Sequence, residues 1–123
     1  MQISLFSVDK QYKKRYNIIN GGYIMIKLVG TEKQVEWAQS IISDALSTIE
    51  ANRKKIVDTY PAGTIKDSEL KIWDTINQQY QDTLKQIEAM PHSAAFVIDN
   101  RKMLDSSRII WGSNQLSMEE QLR

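Results

Sequence analysis

Lys10-Gln-Tyr-Lys-Lys-Arg-Tyr16 interleaves four cations with two tyrosines. Lysine and arginine neutralise phosphates, and aromatic faces stack on unpaired bases, so Lys10, Tyr12, Lys13, Lys14, Arg15 and Tyr16 form a candidate nucleic-acid contact. A second cluster, Asp99-Asn-Arg101, sets an acid, an amide and a guanidinium beside the apolar Phe96–Ile98. Such a trio can bridge helices, or it can present a polar recognition surface to a protein. Trp111, next to Ile109 and Ile110, is a candidate interface anchor, because tryptophan supplies a large rigid contact area.

Catalytic and metal-binding patterns are not visible. The chain has no cysteine and one histidine, His92, so it has no thiolate metal site, no His–His ligand pair and no choice of base for a nucleophilic serine. His92 follows a proline at the expected start of a helix and reads as a solvated loop residue. Neither G-x-x-x-x-G-K-[ST] nor G-x-G-x-x-G occurs. Glu32 and Glu36 share a helical face one turn apart, but acids at a helix start complement its dipole. The expectation is therefore no catalytic residue, no cofactor, no metal and no enzyme.

Two long amphipathic segments position these candidates. Thr31 followed by Gln34 is the T-x-x-Q form of a capping box. Apolar residues then recur at Val35, Ala38, Ile42, Ala45, Ile49 and Ile56 in alternating three- and four-residue steps. Trp37, Ile41 and Leu46 widen that stripe, which predicts one helix from Thr31 to about Asp58, ~40 Å long at 1.5 Å per residue. Pro61 and Gly63 end it. A second stripe, Leu70, Trp73, Ile76, Tyr80, Leu84 and Ile87, predicts a helix that begins near Asp67 or Ser68 and stops before Pro91. Two stripes joined by a short linker fold back antiparallel, with Trp37 and Trp73 in the core between them.

After Pro91, SAAFVIDNRKML predicts a shorter third helix capped by Ser93, with Phe96, Val97 and Met103 covering the open side of the hairpin. Asp105-Ser-Ser107 breaks or restarts the chain. The terminal SMEEQLR has a capping-box start at Ser117 and Glu120 but is short for an independent helix. The fold class is mainly α: a long antiparallel helical hairpin over residues 31–90, then a third helix and C-terminal segment over 93–123.

Residues 1–24 have two readings. Asn20-Gly21 is a tight-turn signal and predicts a small N-terminal β-hairpin, Tyr16–Ile19 against Tyr23–Leu28. Alternatively, Gly21-Gly22 just upstream of Met25 is a ribosome-binding site read as codons, which would make residues 1–24 an extension ahead of the natural start.

A length of 123 residues with 41% hydrophobic and 25% charged residues is that of one ordinary globular domain. Net charge is +1, divided between a head (residues 1–30, balance +4) and a body (31–123, balance −3). The longest apolar run has five residues, far short of the ~18 that span a bilayer. Together these predict a cytoplasmic protein without a membrane partner, and an unburied remainder of either stripe would let two copies pair as a homodimer.

Gly30-Thr-Glu-Lys-Gln-Val-Glu-Trp-Ala38 with Ile41, and Phe96-Val-Ile-Asp-Asn-Arg101, resemble a pattern in small proteins of phages and mobile elements. In those proteins a G-[ST]-x-K-Q-x-x-W-A helix start precedes an aromatic-rich segment ending in Ile-Asp-[Asn/Ala]-Arg. The chain departs from it at Ile42, where an arginine is expected, and at Val97, where a second aromatic is usual. Some small phage proteins of this size inhibit host defence, anti-CRISPR proteins among them. The resemblance implies a non-enzymatic accessory protein of a bacterial host cell that binds a protein partner, with a CRISPR effector nuclease as the candidate. The alternative is a nucleic-acid-binding accessory or regulatory protein using the basic head.

Overall fold

Thr31 starts the longest helix as its spacing predicts. The computed structural model describes residues 16–19 and 22–122, with side chains from Ile26 onward. In it Thr31 Oγ1 accepts from the Gln34 N–H while the Gln34 amide oxygen accepts from the Thr31 N–H, at 3.1 and 3.0 Å. Helix α1 then runs over Glu32–Thr59. It ends where Tyr60, preceding Pro61, is held extended at ψ 137°. Every residue of the expected stripe is buried, Val35, Ala38, Ile42 and Ala45 completely.

Trp37 is the exception and corrects the reading of a core tryptophan: it is 49% exposed. At 100° per residue it lies about 120° from the centre of the buried stripe, on the flank of α1 rather than under α2.

Helix α2 spans Thr64–Glu88, starting earlier than Asp67. Its cap position is Gly63 with φ +149°, a backbone region open to glycine. That conformation lets the chain reverse within Tyr60–Gly63, so no side-chain cap is needed to set the start. Ile72, Trp73, Ile76, Tyr80, Leu84 and Ile87 are buried in the core that α2 shares with α1 and the later helices, and Leu70 packs beside them half-buried. α1 and α2 form the long antiparallel hairpin. Arg53 Nε donates to Asp74 across it at 2.8 Å. Both side chains are partly exposed, so this pair aligns the helices more than it stabilises them.

A short extended strap, residues 26–30, crosses the other end of the hairpin. Ile26 and Leu28 point inward with 2% and 0% exposure, while Lys27 is exposed and Val29 is 40% exposed, the two-residue alternation of an extended chain. The Lys27 N–H donates to the Glu88 carboxylate at 2.8 Å. The Val29 N–H donates to Ser93 Oγ at 2.7 Å, and Val29 O accepts from the Ala94 N–H at 3.1 Å. Gln39 Nε2 donates to Ile26 O. Gly30 is needed here because an added Cβ would lie 2.9 Å from the Ala94 Cβ. Ahead of the strap, β1 (Tyr16–Ile19) and β2 (Gly22–Met25) run antiparallel, Tyr16 opposite Met25 and Ile19 opposite Gly22. The expected turn residues Asn20 and Gly21 lie outside the described residues.

Ser93 therefore is not the cap expected of it. Helix α3 (Ser93–Asp99) follows His92 without a side-chain cap, and the fully buried Ser93 hydroxyl serves the strap instead. The third helix is also shorter than predicted: it stops at Asp99 and yields to a 3₁₀ turn, Arg101–Met103. Val97 and Ala94 cover the hairpin, but Phe96 and Met103 do not, at 36% and 56% exposure.

Asp105 then caps a fourth helix, its carboxylate accepting from the Arg108 N–H at 3.0 Å. Helix α4 is continuous over Ser106–Gln121, so Ser117 lies within it and starts nothing. It packs on both α1 and α2, with Ile109 and Ser113 buried beneath it. Tyr80 Oη donates to Leu104 O at 2.7 Å where α4 is about to begin. None of the described helices is long and apolar enough to cross a membrane.

Candidate protein-binding surface

Asp99, Asn100 and Arg101 close the end of α3. The Asn100 side-chain amide donates to Phe96 O at 2.9 Å, and Arg101 Nη1 donates to Ile98 O at 2.8 Å. Both serve the last carbonyls of the helix, and the Arg101 charge complements the negative end of its dipole. The guanidinium also lies 5.4 Å from the centre of the Trp37 ring on α1. The cluster thus pins α3 to α1 while leaving the Asp99 carboxylate and one side of the indole in water. Trp37 belongs to this surface, and its place in the hydrophobic stripe hid it.

Trp111 stands on the outer side of α4, 49% exposed. Arg108, one turn earlier, lays its guanidinium 4.0 Å from the centre of that ring. A cation so stacked stays extended and keeps its in-plane N–H groups available for a carboxylate. Arg108 is not among the residues that the sequence singles out. The signal was its i,i+3 spacing from Trp111, which carries weight only once the segment is known to be helical.

Beside Trp111, α2, α4 and the 3₁₀ turn leave an open cleft of about 270 Å³. Ile76, Tyr80, Leu104, Ile109, Met103, Trp111 and Gly112 line it together with Gln79, Thr83 and Arg108. Burial, and next to it the nearby Asp105 carboxylate, push the Tyr80 phenol well above its ordinary pKa. It therefore remains a protonated donor to Leu104 O.

The chain matches no family model, no curated protein and no solved structure. What the surface can do thus has to be read from its own side chains: two exposed indoles, each with an arginine over one face, mounted on packed helices. The candidate nucleic-acid residues Lys10, Tyr12, Lys13, Lys14 and Arg15 lie outside the described residues, and Tyr16 is described only as backbone in β1. Among the described residues no three His, Cys, Asp or Glu side chains gather in a way that would hold a metal ion. Glu32 and Glu36 are both exposed on the first turns of α1.

Proposed function

We propose that this protein is a non-enzymatic accessory factor of a phage or mobile element that binds another protein through its helical surface. The partner class implied by the resemblance of Gly30–Ala38 and Phe96–Arg101 is a host defence nuclease, blocked sterically. One observation carries the binding reading: Trp111 is half in water while its helix is anchored by buried Ile109 and Ser113. An exposed tryptophan stacked with arginine on a rigid helix has the composition of an interface hot spot. It is preorganised as well, so little ordering entropy is lost when a partner docks.

Plasmid interference in cells with a defined CRISPR system tests the proposal. Expression of the protein is expected to let a targeted plasmid survive, and Trp111→Ala with Arg108→Glu is expected to remove that protection at unchanged thermal stability. Equal plasmid loss with and without the protein, across effector types, would overturn the nuclease assignment.

A further inference from the structure

Gly112 lines the cleft from inside α4, where glycine is the poorest helix former after proline. Nothing in the fold asks for it: its φ is not in the left-handed region, and a Cβ built there meets no atom within 4 Å. The missing side chain leaves open space where α4 borders the cleft. Ile76, Leu104, Ile109 and Met103 give it an apolar side, Gln79 and Thr83 a polar one, and Arg108 is the one charged residue among those that line it. The neighbouring Asp105 carboxylate is engaged in capping α4, and among the described residues the Arg108 guanidinium meets no carboxylate.

We infer that this cleft receives an apolar side chain from a partner protein's peptide segment that carries an aspartate or glutamate beside it. The inference rests on the protein-binding reading above and adds the chemistry of what is bound. The apolar side chain would fill the space over Gly112 against Ile76 and Ile109. The adjacent carboxylate would accept from the in-plane N–H groups of Arg108, held in direction by Trp111. Met103, exposed and also lining the cleft, adapts to the shape of the inserted group.

Short random peptides displayed on phage, selected on the wild-type protein and counter-selected on Gly112→Leu, test this. The leucine projects into the open space beside the cleft on a helix it favours; circular dichroism checks its fold, and Trp111→Ala replaces it in the counter-selection should it not fold. The surviving peptides are expected to share an apolar residue next to Asp or Glu. They are expected to bind Arg108→Gln about tenfold or more weakly, the loss of a charge-assisted hydrogen bond, and Arg101→Ala unchanged. Enriched motifs with Lys or Arg beside the apolar residue, peptides indifferent to both substitutions, or no enrichment would overturn the inference. So would a dimer, seen by sedimentation, that Gly112→Leu dissociates, since a second copy would then be the occupant. Peptides that bind through Trp37 and Arg101 instead would sink the cleft but leave protein binding standing. No enrichment together with no plasmid protection would sink both.

Discussion

The Val29 amide and the Ser93 hydroxyl meet at 2.7 Å across a separation of 64 residues, tying the strap to the first turn of α3. With Leu28 fully buried beside it, this bond makes residues 26–30 part of the core rather than a lead-in to α1.

Ser93→Ala leaves the Val29 N–H without its partner in a part-buried site, a cost of about 1 kcal/mol. Gly30→Ala drives a methyl group toward Ala94, and overpacking of that kind costs about 1–3 kcal/mol. Both variants are expected to melt several degrees below wild type by circular dichroism; an unchanged melting temperature for both would remove the strap from the core.

A chain starting at Met25 keeps Ile26, Leu28 and every bond of the strap. It is expected to unfold cooperatively in urea with a helical signal close to that of the full chain. A chain starting at Thr31 loses both buried side chains, each worth about 1.5–3 kcal/mol, and its urea midpoint should fall sharply.

The two loop-and-helix glycines should respond in opposite directions. Gly63→Ala places a side chain at φ +149° and is expected to destabilise. Gly112→Ala meets open space and is expected to stabilise by about 1 kcal/mol through helix propensity. Paired thermal melts decide this, and the same sign for both would contradict the geometry.

Tyr80 gives stability a pH dependence of definite sign. Its phenol is raised in the folded state, so above about pH 10 the unfolded chain loses this proton first. The contribution is fully present below that pH and is lost as pH rises toward the folded value. Denaturant midpoints of wild type should therefore decline above about pH 10 more steeply than those of Tyr80→Phe. At neutral pH the Phe variant should be less stable by about 1–3 kcal/mol, because Leu104 O loses its donor. Parallel pH profiles would show the hydroxyl to be solvated.

Much of the scaffold was legible in the sequence because it is local. A 3.6-residue apolar period, a T-x-x-Q cap and a proline each act within a few residues, so α1, α2 and their pairing follow from residues 31–90 alone. The final segment was harder. Asp105-Ser-Ser107 looks like a break, and only the structure shows that it is the cap of an uninterrupted α4, since Asp105 is equally suited to ending one segment and starting another.

The surface was decided by tertiary structure. Trp37 and Trp73 both fit a stripe, yet one is exposed and the other buried, because periodicity gives a direction around each helix and packing chooses how wide a sector is covered. Ser93, with a capping residue's chemistry, is taken instead by a strap from the far side of the sequence. Arg108 acquires its role only when α4 brings it onto Trp111. Amino-acid order set the helices through short-range periodicity and capping; which flanks stayed in water was set by long-range contacts, whose partners no local pattern names.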